Sequence, residues 1–171
     1  QKQRKILDVY FPSYCCQSML QPFLERNIKI YFYSVKFEKG KFVYDIDCNK
    51  KCDLFFAMNY FGFTTNNMDY YIDNFKRKNV LVMEDSTHSW LSKRKYNRNS
   101  DFVVASLRKW FPIISGGVLI NPSGNIRLSV EQNWRENQKY IQLKEKAMNK
   151  KYQYINNDKK INKTEFLQEF A

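Results

Sequence analysis

The chain has 171 residues, of which 43% are hydrophobic and 17% aromatic. This length and apolar content suffice for one domain with a buried core, and they exclude an intrinsically disordered chain. The formal net charge is +12, which would suit a nucleic-acid or acidic-membrane partner, but lysine, asparagine and tyrosine are abundant throughout, so the charge indicates a compositional bias rather than a binding patch.

The first half of the chain contains three predicted strands. Apolar runs at residues 5–11, 28–35 and 54–58 are bounded by polar residues, proline or glycine. A short apolar run with such boundaries is typical of a strand buried on both faces. Residues 36–51 are more polar and alternate weakly, which predicts a hairpin-like excursion between the second and third strands.

Two helices are predicted in the same half, because apolar side chains recur there on one helical face. In the first helix, Pro22 must lie in the first turn or kink the helix. The second helix follows a capping signal at residues 64–66 and ends in a basic turn at residues 76–78, which suits the negative end of the helix dipole. The predicted packed faces are Cys16, Met19, Leu20, Phe23 and Leu24, and then Met68, Tyr71, Ile72 and Phe75.

Three more short apolar runs follow, at residues 80–83, 102–105 and 117–120. Because strands alternate with helices along the chain, most of them should be parallel, with helices on both faces of the sheet. Residues 101–106 and 117–121 have no helix between them, so we expect at least one antiparallel strand. The predicted fold class is therefore α/β, with a mostly parallel mixed sheet.

The last part of the chain is predicted to be helical. A long polar helix carries Val130, Trp134, Ile141 and Met148 along one side, as is typical of a surface helix. Residues 156–160 predict a loop, and Phe166, Leu167 and Phe170 indicate a last helical turn or two.

Polar side chains stand where two of the predicted strands end. Asp85 follows the run at residues 80–83, and His88, the only histidine, comes three residues later. Ser106 and Lys109 follow the next run. Each alone has a structural interpretation, since a carboxylate can cap a turn and a lysine or histidine can simply be solvated or packed. Together, at the carboxyl ends of strands, they are the groups needed to hold pyridoxal phosphate: a lysine for the Schiff base, a carboxylate for the pyridine nitrogen and a serine for the phosphate.

The same stretch resembles the sugar aminotransferase family of fold-type-I pyridoxal-phosphate enzymes, the DegT/DnrJ/StrS group. The matching segments are EDSTH at residues 84–88, SLRK at 106–109 and the glycine pair at 116–117. Upstream, FPSYC at residues 11–15 resembles the family's strand-to-helix turn, and YFG at 60–62 its aromatic-glycine turn. The similarity runs from about residue 5 to residue 121.

The resemblance implies a role for each of these side chains. Lys109 would hold the cofactor covalently and, once released, move a proton between substrate and cofactor. Asp85 would pair with the pyridine nitrogen, His88 would hydrogen-bond the ring hydroxyl, and Ser106 would contact the phosphate. Cys16 or Tyr14 lies where the family often places a side chain stacked on the ring.

The chain departs from the family pattern in three ways. Most members have a serine five residues before the lysine, where this chain has Val104. The family's phosphate loop would precede residue 5, and its small C-terminal domain would follow residue 171. We therefore expect a fragment, in which residues 1–125 form a cofactor-binding large-domain core that is incomplete at its N-terminus and residues 126–171 lead toward the small domain.

The resulting hypothesis is an aminotransferase that moves an amino group from an amino acid to a keto-sugar, with a nucleotide-linked sugar as the expected acceptor. The resemblance also implies that it works as a homodimer. A catalytically silent protein with the same fold is one alternative. A basic nucleic-acid-binding module is another, but it would need exposed aromatics among the basic residues, whereas the aromatics here follow core patterns.

The cysteines and the apolar runs predict neither a metal site nor a membrane span. The four cysteines lack the spacing of a zinc site or a disulfide framework, so we expect reduced structural thiols and no metal. No apolar run reaches the ~20 residues of a membrane span and no signal peptide is recognisable, so we expect a soluble, cytoplasmic protein.

Overall fold

A computed structural model of the chain describes residues 5–62, 68–93, 96–124, 134–156 and 163–170. The predicted capping signal at 64–66, Val130 and residues 157–160 of the predicted loop lie outside the described residues. The chain divides into two compact units, Gln1–Trp110 with Gly117–Arg127, and Phe111–Gly116 with Leu128–Ala171. The first unit carries a sheet, and the second carries two helices.

The described strands form one mixed sheet of seven strands in the order β3-β2-β1-β4-β5-β6-β7. The five central strands are parallel, and each edge strand is antiparallel to its neighbour, so the predicted α/β fold with a mostly parallel mixed sheet is confirmed. The strands are β1 Asp8–Pro12, β2 Lys29–Glu38, β3 Lys41–Asp45, β4 Leu54–Met58, β5 Leu81–Asp85, β6 Phe102–Ser106 and β7 Gly117–Ile120.

The core lies on both faces of the sheet, because successive side chains of a strand point to opposite sides. All five residues of β4 are buried, as its continuous apolar run predicts. On one face, Val9, Phe11, Leu54 and Phe56 cluster beneath helix α1 (Gln17–Leu24). On the other face, Tyr10, Phe55 and Val82 cluster with helix α2 (Met68–Arg77). Helices therefore cover both faces.

Helix α2 packs as predicted, whereas the prediction for α1 is wrong at both ends. Met68, Ile72 and Phe75 of α2 are buried in the core. In α1, Cys16 precedes the helix and is exposed, and Leu24 is 51% exposed in the last turn. The face that packs on the sheet is shorter and consists of Met19, Leu20 and Phe23. Pro22 lies inside this helix, which ends two residues later.

The hairpin-like excursion is confirmed as the pair β2 and β3. Lys39 and Gly40 connect the two strands with positive φ angles of 48° and 76°. Two consecutive residues with positive φ match the tight turn whose twist suits a hairpin. The pairing extends β2 to Glu38, beyond the predicted end of that strand.

The second unit contains helices α3 (Trp134–Ile155) and α4 (Lys163–Phe170), which pack against one another. Phe166 is buried, with its ring centroid 5.3 Å from that of Tyr154, while Ile141 and Met148 of α3 are exposed. The predicted final helical turns are confirmed as α4. Among the described residues, no helix has the length and apolar character needed to cross a membrane.

Candidate functional site

A crevice of about 420 Å³ opens where the parallel strands β1, β4, β5 and β6 reach their carboxyl ends. The chain runs from β1 to β2 on one side and later to β4 on the other, so the strand order reverses beside β1. Such a switch point is where sheets covered by helices open to bind ligands. The crevice is lined by Tyr14, Cys15, Cys16, Ser18, Met19, Met58, Tyr60, Asp85, Thr87, His88, Ser106, Arg108 and Lys109.

Asp85 enters this crevice because it is the last residue of β5 and faces the α1 side of the sheet. Its side chain is nearly buried and accepts a hydrogen bond of 2.8 Å from the backbone N–H of Thr87. The preceding Glu84 points to the opposite face, where it accepts hydrogen bonds from Asn97 N–H and Ser100 Oγ–H. The alternation of the strand thus separates two carboxylates that are adjacent in sequence.

His88 lies in the turn after β5, against two aromatic rings. The ring of Phe61 stacks on the imidazole at 4.8 Å between centroids and 14° between planes, and the ring of Tyr60 meets it edge-on at 6.0 Å. Its Nδ1 is buried and has no hydrogen-bond partner among the described residues. Burial lowers the pKa of His88 below 6.5, Asp85 partly opposes this change, and Lys109 adds to it. The lowered pKa therefore favours the neutral imidazole at pH 7.

Thr87 connects the ends of β5 and β6. Its Oγ1 accepts a hydrogen bond of 2.9 Å from Ser106 N–H, and its carbonyl oxygen accepts one from Trp110 Nε1–H. The neighbouring Ser86 N–H donates to the carbonyl oxygen of Val104 at 2.8 Å. Thr87 is not among the four residues expected from the sequence, although its place between Asp85 and His88 is a usable signal.

Ser106 and Lys109 are separated by a single tight turn. Ser106 ends β6 and precedes the 3-10 turn Leu107–Lys109, but its side chain makes no capping hydrogen bond to that turn. Its hydroxyl is therefore not used to cap the turn. Lys109 is exposed and lines the crevice. The structure thus brings together all four residues singled out from the sequence, Asp85, His88, Ser106 and Lys109.

The crevice wall opposite these residues is formed by the segment after β1. Tyr14 is 57% exposed and its ring centroid lies 5.4 Å from that of Tyr60, whose hydroxyl donates to the carbonyl oxygen of Tyr14. Cys16 also lines the wall, with its Sγ 3.1 Å from Ser18 Oγ. Tyr14 and Cys16, the two residues expected to stack on a bound ring, therefore both line the crevice. That one of them stacks on the ring stays a prediction.

The remaining cysteines and acidic residues do not form a metal site within the described residues. Cys15, Cys16, Cys48 and Cys52 are free cysteines. The described part of the chain contains no group of three or more His, Cys, Asp or Glu side chains arranged to hold a metal ion. Burial raises the pKa of the Cys15 thiol, which keeps it protonated.

No protein-family model and no curated protein matches this chain. Solved structures do match. A pyridoxal-phosphate-bound putative aminotransferase from Clostridium difficile 630 is similar with a TM-score of 0.54 and 16% identity, over 70% of this chain and 37% of that one. Histidinol-phosphate aminotransferase from Clostridium acetobutylicum matches with a TM-score of 0.53 and 12% identity, over 68% of this chain and 40% of that one.

A complex of SepCysS with the N-terminal domain of SepCysE matches with a TM-score of 0.50 and 15% identity, over 70% of this chain and 36% of that one. At these identities the likeness shows the fold alone, which is the α/β fold of fold-type-I enzymes. The chain spans between about a third and two fifths of the length of these three structures.

Proposed function

We propose that the crevice binds pyridoxal phosphate and that the protein is a pyridoxal-phosphate-dependent enzyme. The observation that carries the proposal is the convergence of Lys109, Asp85, His88 and Ser106 on one crevice at the carboxyl ends of parallel strands. The fold, shared with a pyridoxal-phosphate-bound putative aminotransferase, supports it. When bound, this cofactor supplies an electron sink for reactions at the carbon that bears an amino group.

The residues present fit such a group chemically. A neutral imidazole at His88 with an unpartnered Nδ1 retains hydrogen-bonding capacity, which a ring hydroxyl can use. Asp85 receives one backbone N–H at Oδ1, and its other carboxylate lone pairs leave capacity for a protonated ring nitrogen. The volume of about 420 Å³ lies within the range of small-molecule sites.

Each residue has a separate task in this proposal. Lys109 would hold the cofactor covalently through its Nζ and, once free, would take up and return the substrate proton. Asp85 would keep the ring nitrogen protonated, because a nearby carboxylate favours the charged form of a base. Ser106 would donate its hydroxyl to the phosphate, and Tyr14 or Cys16 would cover a face of the ring.

The finer assignment is an aminotransferase that uses an amino-acid donor and a keto-sugar acceptor, with a nucleotide-linked sugar as the first choice. It is supported by the sequence segments at residues 84–88 and 106–109, which resemble the sugar aminotransferases. Under this proposal, Ser106 is one of the phosphate contacts, while the other phosphate contacts and the residues that close over the substrate come from outside the described strands. The protein acts as a cytoplasmic homodimer.

The reaction can be tested with the protein loaded with pyridoxal phosphate. A panel of amino acids is added, and the absorption spectrum of the cofactor is followed together with the release of keto acid. An aminotransferase should convert the cofactor to its amine form with one donor, and a keto-sugar should then reverse the change. A protein that binds the cofactor but responds to no donor would contradict the proposed reaction.

A further inference from the structure

The turn after β4 contains a bulky residue in a backbone conformation that such residues rarely adopt. Phe61 has φ 56° and ψ 13°, within the left-handed region. A Cβ crowds the backbone there, so glycine and asparagine adopt it far more readily than an aromatic residue. Strained residues of this kind persist only when their surroundings hold them, and they concentrate at ligand sites.

The turn is held by close packing against the segment that carries His88. The next residue, Gly62, also has a positive φ of 67°. A Cβ added at Gly62 would collide with Ser92 Oγ and would lie 3.2 Å from the carbonyl oxygen of His88. The positive φ and the tight backbone contact therefore favour glycine at residue 62, and the close approach of the turn accompanies the stacking of the Phe61 ring on the imidazole.

The position of the Phe61 ring is not explained by core packing. The side chain is 51% exposed, whereas Phe55 and Phe75 in the true core are fully buried. Its planar contact is with His88, at 4.8 Å and 14°, while its contacts with Phe42 and Tyr60 are tilted and longer, at 5.5 Å and 6.4 Å. Phe61 thus combines a strained backbone with a half-exposed ring that lies flat on His88, a residue of the crevice wall. This combination points to a role in the crevice.

We propose that Phe61 is a positioning residue, whose left-handed backbone holds its ring flat on His88 and so fixes the plane of the imidazole before a ligand binds. The use of that imidazole to hydrogen-bond the ring of pyridoxal phosphate rests on the proposed function. The fixed orientation itself does not, because it is a property of the unliganded chain.

His88 makes the orientation measurable, since it is the only histidine in the 171 residues. Proton–nitrogen spectra of the unliganded chain should show imidazole protons shifted upfield by the Phe61 ring, one dominant tautomer, and a pKa below 6.5. In Phe61→Leu the upfield shift should disappear, the tautomers should mix, and the pKa of His88 should rise toward 6.5 as water reaches the ring. Asp85, Lys109 and the ring of Tyr60, which also act on His88, are unchanged in this variant.

Two variants serve as controls and one separates positioning from packing. Phe61→Tyr keeps the ring and should resemble the wild type. Phe37→Leu removes a neighbouring aromatic ring that is 65% exposed, and it should leave the His88 spectrum unchanged. Phe61→Asn suits the left-handed backbone, so it should keep or increase the unfolding temperature while releasing His88. A core residue would instead lose stability in both Phe61→Leu and Phe61→Asn.

Affinity for pyridoxal phosphate, measured by titration, should fall about fivefold in Phe61→Leu, the loss expected when one hydrogen bond is weakened. A His88 spectrum identical to wild type in both Phe61→Leu and Phe61→Asn would overturn the positioning role. If the spectra change as expected while the wild type fails to bind the cofactor, the positioning role stands and the proposed function fails. Should Phe61→Leu not fold, the comparison of Phe61→Tyr with Phe61→Asn decides the question.

Discussion

Two polar regions lie on opposite faces of the sheet at the end of β5, and they differ in how completely the protein satisfies them. On the α2 face, Glu84 is fully buried and accepts Asn97 N–H at 2.7 Å and Ser100 Oγ–H at 3.1 Å. On the α1 face, Asp85 is nearly buried, and its side chain accepts a hydrogen bond from Thr87 N–H. Glu84 and Asp85 are thus adjacent in sequence, but their carboxylates lie in different surroundings.

The Glu84 region is a closed network that ties a loop to a helix. The side chain of Asn97 donates to Asp69 at 2.6 Å, and the side chain of Asn99 donates to Asp73 at 2.9 Å. Asp69 and Asp73 both belong to α2. The network therefore fastens the loop before β6 to the helix, and its function is structural.

The Asp85 region is open in comparison. His88 Nδ1 is buried without a partner among the described residues, and the hydroxyl of Ser106 is not used to cap the turn that follows. A buried polar atom without a partner is costly, so folded proteins rarely retain one unless a ligand or water completes it. The polar groups around Glu84 therefore support the fold, whereas His88 Nδ1 and the Ser106 hydroxyl are available to a ligand.

The largest effect is expected from a substitution of Asp85, in the open region on the α1 face. Asp85→Asn keeps an oxygen that can accept Thr87 N–H, so the fold should be retained, but it removes the charge that would keep a ring nitrogen protonated. Turnover of the loaded protein should fall by about 100-fold or more, the order seen when a preorganised electrostatic contact is lost. Steady-state kinetics and circular dichroism check the two parts, and normal turnover in this variant would reject the role of Asp85.

Glu84→Gln tests the closed side with the same chemical change. Loss of the charge weakens hydrogen bonds from Asn97 and Ser100 and should lower the free energy of unfolding by about 1–3 kcal/mol. Denaturant titration measures the change. Cofactor binding, measured below the unfolding transition, should stay close to wild type. If Glu84→Gln instead left the free energy of unfolding unchanged and abolished cofactor binding, the assignment of the two faces would be reversed.

The smallest effect is a pH dependence from His88. Burial lowers its pKa in the folded chain, so the unfolded chain binds the proton more readily. This histidine therefore makes the free energy of unfolding fall as the pH drops below about 6.5, the unperturbed value, until the pH passes the lower folded pKa. His88→Gln should abolish this fall in the free energy of unfolding, while the steeper fall at lower pH, which carboxylates cause, should remain. Parallel curves for the two proteins across that range would contradict the predicted shift.

The sheet and the four candidate residues could be predicted from sequence because their signals are local. Buried parallel strands require continuous apolar runs, and polar residues directly after such runs must fall at the same edge of the sheet. The antiparallel pairing of β6 and β7 followed from the absence of a helix between them.

The rest depends on contacts between distant segments, which leave no periodic signal. The left-handed Phe61 lies in the turn of residues 60–62, which packs against residues 88–92. The link from Thr87 to Ser106 depends on how two loops meet. Leu24 has the right spacing for the packed face of α1, but α1 ends there, so the residue remains exposed.

Chemical trapping tests whether Lys109 holds pyridoxal phosphate in the crevice, as we propose. The protein is incubated with the cofactor, reduced with borohydride and digested, and the modified lysine is located by mass spectrometry, with Lys109→Arg as the matched control. We expect one equivalent of label on Lys109 and none in the control. Label spread over other lysines, or the same label in Lys109→Arg, would contradict it.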